Sequence, residues 1–407
     1  MEIREVDNQN YDLLTNKMMD YVDNDKLPGL ITLVYKNEKI IYNKKFGFAD
    51  TEGKIPIEFE NIFRIASMTK PIVSVAALIL FEKGKFVLED PLSKFIPNAK
   101  NLKVYVEKKD DEIIVEDLER EITILDLFTH TSGFIYPMDP NHPVDKQYLD
   151  LYGSNFEKRN QMTLKELGEG WFKIPLKHQP GIKYTYSVST DILGYLIQVI
   201  SGKVLDKFLK EEIFQKLDMV DTDFYVPEDK KARLVSIHEI NKEGKLLKSK
   251  EDIQSFPRDK RKFLSGGGGL LSTVSDYLKF AKMFLNRGNL NGVQIITEKT
   301  YELMISDHIT TRNIIFSVWK REGFPENLKN IIDPDKERNG FGLGVSIQIN
   351  NEYFPKGIYS WPGAYTTNFW IDPENKIIGI ILSQFIPIFS YPIFHEFEKM
   401  TYEALKS

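Results

Sequence analysis

The sequence predicts an α+β fold: an antiparallel sheet built from both termini, flanking helices, and an inserted, mainly helical lobe. Three observations predict it. Strand-patterned runs occur near both ends of the chain, at 31–35 and 40–42 and again at 341–347, 368–371 and 377–382. The stretch from residue 91 to about 265 reads mainly as helix and loop. Residues 71–81 form a nearly continuous apolar run, which suits a helix buried on most sides. Strands at both ends that must bury a common face pair with each other, and the middle then stands apart as an insertion.

Each element has a local cause. Tyr11, Leu14, Met18, Tyr21 and Val22 recur at helical spacing within 9–26, and Pro28-Gly29 ends that helix. Residues 31–35 and 40–42 predict a hairpin joined by 36–39, with 46–50 closing the unit. The buried helix begins at Ser67; Pro71 is tolerated in its first turn and Gly84 stops it. A short helix over 121–128 leads into Thr129-His130-Thr131-Ser132-Gly133. Residues 134–159, with Pro137, Pro140 and Pro143, read as a long irregular insertion. An apolar helix over 191–200 is stopped by Ser201-Gly202, and the run Gly266-Gly267-Gly268-Gly269 precedes a helix through 276–285. A last helix is expected over about 390–405. The organisation expected is one domain, 1–407, with an α/β lobe of about 1–90 and 270–407 and a helical lobe of about 91–269.

Composition narrows the chemistry. The 407 residues are 42% hydrophobic and 28% charged, ordinary for a globular chain, and a net charge of −5 gives no reason to expect a nucleic acid partner. There is no cysteine, which excludes disulfides, thiolate metal sites and a cysteine nucleophile together. The six histidines form no H-E-x-x-H or other close metal pattern, so no metal and no cofactor is expected. Residues 1–7 lack a basic region followed by an apolar core, and no stretch approaches the roughly 20 apolar residues of a membrane span. A cytoplasmic protein with no membrane span is the expectation. Nothing in the sequence bears on oligomeric state.

The chemistry-bearing feature is Ser67-Met68-Thr69-Lys70 at the start of the buried helix. A serine and a lysine three residues apart share one helix face, at the end where free N–H groups gather. S-x-x-K occurs about once by chance in a chain of this size, and a second copy is present, Ser317-Val318-Trp319-Lys320. Only the first has an apolar helix behind it. A lysine can act as a base only where burial or neighbouring positive charge favours its neutral form. Tyr186, after the Pro180-Gly181 turn, is the second candidate base, since a phenolate beside Lys70 is stabilised by the ammonium. Ser360-Trp361-Pro362-Gly363-Ala364 precedes a strand and is placed to line the serine: Pro362 suits a sheet edge and Gly363 permits close backbone approach. No G-x-S-x-G elbow occurs. His130 is expected to cap and pack, and the glycine run to pack tightly, since it lacks the spacing of a phosphate loop.

With these segments in this order, the chain resembles the class C β-lactamase-related serine hydrolases, a superfamily that includes penicillin-binding-protein-like peptidases and esterase-B-type carboxylesterases. The resemblance runs over most of the chain and implies the β-lactamase/transpeptidase-like fold. It implies that Ser67 is the acylated nucleophile and that Lys70 and Tyr186 share proton transfer. The backbone N–H groups of Ser67 and Ala364 would form the oxyanion hole, with Trp361, Pro362 and Gly363 lining the substrate. Two positions depart from the pattern of β-lactamases and D,D-peptidases: Val188 stands where an asparagine is usual, and Trp361 where lysine or histidine is usual. Trp361 offers one N–H and a large apolar face, which leans toward the esterase members. The expected activity is hydrolysis of small or medium acyl esters, with a small-molecule ester or amide as substrate. The alternatives are β-lactamase-like, D-amino-acid peptidase, amidase or acyltransferase chemistry on the same serine, which relative rates on amides would reveal. A non-catalytic penicillin-recognition module would give an adduct without turnover.

Overall fold

In the computed structural model, residues 3–110, 112–250, 262–312, 314, 338–351 and 354–406 are described. The second S-x-x-K copy, at Ser317, lies outside them. One eight-stranded antiparallel sheet organises the chain. From one edge its strands are Arg338–Phe341, Ser346–Asn350, Tyr359–Ser360, Thr367–Asp372, Ile377–Ser383, Gly29–Lys36, Lys39–Asp50 and Ile55–Pro56. The two ends of the chain meet where Gly29–Lys36 pairs with Ile377–Ser383, in register from Leu30 opposite Ser383 to Lys36 opposite Ile377.

Alternation along the first strand explains the layers, because successive side chains point to opposite faces. Leu30 and Val34 turn to a face covered by helices Asp12–Asp23 and Ile393–Lys406, where they join Met18, Trp370 and Phe397. Ile31, Leu33 and Tyr35 turn to the opposite face and the main core, with helix Thr69–Glu82 and helix Val274–Leu285. Ile72, Val73, Val75, Ala76, Ala77 and Leu78 are all fully buried. Each large aliphatic side chain so buried contributes about 1.5–3 kcal/mol, so this helix is held by packing on every side.

Several expectations are refined. The first hairpin turns on Asn37 and Glu38 alone, both with positive φ, and its second strand runs unbroken to Asp50. Residues 341–347 are not one strand but the turn of a hairpin: Gly342 N donates to Val345 O at 2.8 Å, and Gly344 has φ +96°. The insertion at 134–159 contains helix Pro143–Tyr152, with Pro143 in its first turn, where the missing N–H costs nothing. The middle of the chain also carries two hairpins that periodicity did not reveal, Lys103–Lys109 with Glu112–Asp117 and His238–Ile240 with Leu246–Lys248.

Gly344 ties the edge hairpin to the buried helix. A Cβ there would lie 2.1 Å from Ser74 Oγ. Gly344→Ala is expected to lower stability by at least roughly 1–3 kcal/mol from backbone strain, read as a fall in the urea midpoint. An unchanged midpoint would show that this turn does not pack on the helix.

Candidate active site

Ser67 sits in a 3-10 turn, Ala66–Met68, that runs directly into helix Thr69–Glu82. Ala66 has φ +44°, a left-handed conformation that costs a non-glycine residue roughly 1–3 kcal/mol and needs surrounding structure to hold it. That support is dense. Gln384, fully buried at the end of a sheet strand, accepts from Arg64 N at 3.0 Å and donates to Arg64 O at 3.1 Å. Ile65 N donates to Leu270 O at 3.1 Å, and Tyr277 Oη donates to Met68 O at 3.0 Å. Thr367 Oγ1 donates to Ile65 O at 3.3 Å.

Three predicted residues come together around one hydroxyl. Tyr186 Oη donates to Ser67 Oγ at 2.6 Å, and Lys70 Nζ donates to the same oxygen at 3.3 Å. Lys70 is fully buried. Its other N–H groups reach Gly267 O at 2.5 Å and Tyr136 Oη at 3.4 Å. Three donors thus meet three acceptors, which a lysine without solvent requires. The ammonium also lies over the Tyr186 ring, 4.5 Å from its centroid. A cation beside the ring favours the phenolate form of Tyr186, and a phenolate at this distance from the serine hydroxyl can take its proton.

The rival tyrosine is elsewhere: Tyr184 packs its ring on Phe341 and His130, with centroids 5.3 and 5.9 Å apart. His130 is buried behind Tyr186, its Nδ1 3.2 Å from Ser187 Oγ and its ring 5.1 Å from the Tyr186 ring. It buttresses the phenol, in keeping with a packing role.

The third motif lies under the serine turn. A Cβ on Gly363 would come within 2.2 Å of both Ile65 O and Thr367 Oγ1, so only glycine fits between them. Gly363 N donates to Thr367 O at 2.7 Å, and Ala364 stands exposed in the turn that follows. Trp361 is buried, with its ring 5.5 Å from Tyr186 and 5.3 Å from Phe341. Pro362 falls between the last sheet pair, Ser360 with Trp370, and the Gly363–Thr367 bridge. It occupies a gap in the ladder, where a missing donor costs little.

Sequence reasoning missed Tyr136, Asp191 and Gly267. Tyr136 Oη donates to Asp191 Oδ2 at 3.2 Å, while Asp191 Oδ1 accepts from Ser265 Oγ at 2.7 Å and Gly267 N at 3.0 Å. Burial, then the Asp191 carboxylate, push the Tyr136 phenol well above its ordinary range, so it stays protonated. Gly267 has no room for a side chain: a Cβ would lie 2.4 Å from Tyr136 Oη and 2.6 Å from Asp191 Oδ2. Val188, where the sequence departs from the usual asparagine, is buried and supplies no polar group. The polar lining near Lys70 comes from Tyr136 and the Gly267 carbonyl instead. The glycine run and the 191 helix carried the only sequence signal for this set.

A family model described as Beta-lactamase matches residues 14–385. The chain belongs to the β-lactamase family. An uncharacterised protein of Mycobacterium tuberculosis is 32% identical over 367 residues, covering 89% of this chain and 86% of that protein. The lovastatin esterase of Penicillium rubens is 25% identical over 371 residues, covering 88% and 89%. Among solved structures, EstCE1, a hydrolase with promiscuous acyltransferase activity, superposes with a TM-score of 0.77 at 20% identity, covering 97% of this chain and 99% of its own. That likeness concerns the fold, the β-lactamase/transpeptidase-like arrangement of antiparallel sheet and helices. Among the described residues no helix is long and apolar enough to cross a membrane, and no group of three or more His, Asp or Glu could hold a metal ion.

The loop at 129–133 is fixed by Asp126, which is fully buried. Arg120 donates to both its oxygens at 2.6 and 3.0 Å, and Thr131 Oγ1 donates at 2.9 Å. Burial would raise this carboxyl, but the bonds from Arg120 and Thr123 outweigh it and hold it below its ordinary value. A lowered value in the fold stabilises above the unfolded carboxyl's range of about 4 and is lost as pH falls through the folded value. Asp126→Asn is therefore expected to lower the urea midpoint at pH 7, with the gap to wild type closing below about pH 4. A gap independent of pH would assign the loss to packing alone.

Proposed function

We propose that this chain is a serine esterase that cleaves small or medium acyl esters through an acyl-enzyme on Ser67. The observation that carries the reading is the Ser67 hydroxyl held 2.6 Å from the Tyr186 phenol and 3.3 Å from the buried Lys70 ammonium.

On this reading the reacting form of the Tyr186–Lys70 pair holds one proton fewer than a phenol beside an ammonium, and Ser67 Oγ attacks the ester carbonyl as its proton passes to that open site on the pair. The carbonyl oxygen takes up negative charge and is held by the backbone N–H groups of Ser67 and Ala364. Gly363 against Ile65 O supports that assignment, because it sets the following residue's backbone beside the serine turn. The tetrahedral centre collapses, the C–O bond to the alcohol breaks, and the pair returns the proton to the leaving oxygen. Water then attacks the acyl-Ser67 carbonyl, gives up its proton to the same pair, and Ser67 departs with that proton as the free acid is released. The net change is ester plus water to acid plus alcohol.

Trp361, Pro362 and Gly363 line the substrate in this scheme. The apolar face of Trp361 supports an ester, whose leaving group needs no cationic partner at that edge. The likeness to a lovastatin esterase over most of both chains supports the same choice.

The test is p-nitrophenyl butyrate hydrolysis by wild type and two variants. Ser67→Ala is expected to abolish turnover and to remove the acyl adduct seen by intact mass spectrometry. Tyr186→Phe is expected to lower kcat by about 10²–10⁴-fold, the range for a lost general base. Full activity in Ser67→Ala would sink the assignment of the nucleophile.

A further inference from the structure

Two side chains outside the serine's own motifs decide how Lys70 faces it. A lysine nitrogen makes three bonds beyond its own carbon: three N–H in the ammonium, two N–H and a lone pair in the amine. At Lys70 those positions are directed at Gly267 O, 2.5 Å away, at Tyr136 Oη, 3.4 Å away, and at Ser67 Oγ, 3.3 Å away. The nitrogen belongs to a fully buried side chain, so these three atoms are its surroundings.

Two of the three accept and do not donate. Gly267 O is a carbonyl. Tyr136 has a single proton, and it is given to Asp191 Oδ2 at 3.2 Å. Asp191 in turn is set to accept, since Oδ1 takes Ser265 Oγ at 2.7 Å and Gly267 N at 3.0 Å. Burial and then that carboxylate push the Tyr136 phenol well above its ordinary range, which keeps the proton on this bond. A lone pair on Lys70 therefore meets no donor at Gly267 or Tyr136. It faces Ser67 Oγ, whose hydroxyl has a proton to give.

We propose that Asp191 is a positioning residue that acts through Tyr136: by taking the phenol proton it leaves that hydroxyl as an acceptor, and so keeps the position of Lys70 that gains and loses a proton on the line to Ser67 Oγ. The inference rests on the Ser67 assignment proposed above, though not on the substrate being an ester. The same carboxylate, one hydroxyl away from the ammonium, favours the proton-rich form of the Tyr186–Lys70 pair. The other ionisable groups that act on Tyr136 and Asp191 are Tyr152 and Arg159. Burial raises the Tyr152 phenol, and an arginine keeps its charge, so the proton that comes and goes belongs to the pair. Asp191→Asn removes both effects with little change of size. Its amide N–H can serve Tyr136, and the phenol proton is then free to turn to the Lys70 lone pair and take it from the serine.

Two rates follow Ser67 as pH is varied. One is kcat/KM for p-nitrophenyl butyrate. The other is modification by diisopropyl fluorophosphate, in which fluoride leaves as Ser67 Oγ bonds to phosphorus, followed by intact mass. Asp191→Asn is expected to lower the plateau of either rate about 10–100-fold. Its acid limb is expected to move to lower pH by at least about half a unit, because the lost charge had favoured the proton-rich pair. Tyr136→Phe leaves the bonds from Asp191 to Ser265 and Gly267 in place. It should move the limb the same way, since an ammonium with one acceptor fewer gives up its proton more readily. The position of a limb does not depend on how much protein is folded. Both substitutions break one link, so the double variant should lose little more than the worse single one. An acid limb unmoved in both single variants overturns the proposal and leaves Asp191 a packing role. If the ester is not hydrolysed while the fluorophosphate modifies Ser67, the ester reading fails by itself, and the limb of the labelling rate decides the role of Asp191. A Ser67 that neither reagent engages overturns both.

Discussion

The structure depends on one buried ammonium. Lys70 has no access to water, so each of its donors must find an acceptor in the protein. The acceptors are Ser67, Tyr136 and Gly267, from three segments far apart in the chain. Satisfying one nitrogen therefore fixes the insertion and the glycine run against the helix start. Asp191 closes the arrangement by gripping Tyr136, Ser265 and the Gly267 backbone at once. A buried polar network of this kind is stable only when every member is satisfied, which is why Gly267 has no room for even a methyl group.

The sheet supplies the opposing jaw. Ala66 is held in a conformation it would not choose, and sheet strands and their ends supply much of the grip: Gln384, Thr367 and, through its missing side chain, Gly363, with Leu270 and Tyr277 adding to it. The serine thus lies at a seam, strained from the sheet side and hydrogen-bonded from the side of Tyr186 and Lys70. Strain persists only where its surroundings over-determine it. A turn gripped from two sides within one continuous core meets that condition better than a loop held from one.

What the sequence disclosed, and what it hid, follows from where each signal resides. The first hairpin, the buried helix and the strand at 377–382 were readable because alternation and apolar runs are local. Ser67, Lys70 and Tyr186 were readable because their spacing or motif setting is local too. Tyr136 was not, because its value lies in a hydroxyl aimed across the fold at Asp191, and nothing near it in the chain marks that. The prolines of the insertion suggested irregularity, yet Pro143 begins a helix. The hairpin Lys103–Lys109 with Glu112–Asp117 was missed because its strands are mostly exposed, and a strand with no buried face shows no alternation. Residues 341–347 looked like one strand until Gly344, at φ +96°, turned the chain.

The two departures from the family pattern belong together. Val188 and Trp361 are both apolar and buried where polar groups are usual, and the rings of Trp361 and His130 pack on Tyr186, with Phe341 against both of them. A wall of rings there lowers the local dielectric, which strengthens the attraction between the Lys70 charge and any charge on the phenol. The two groups that flank Ser67 therefore stand in unlike surroundings. Tyr186 lies among rings, while Lys70 meets the Tyr136 hydroxyl and the Gly267 carbonyl. The polar side holds the charge in place and the apolar side keeps it from being screened.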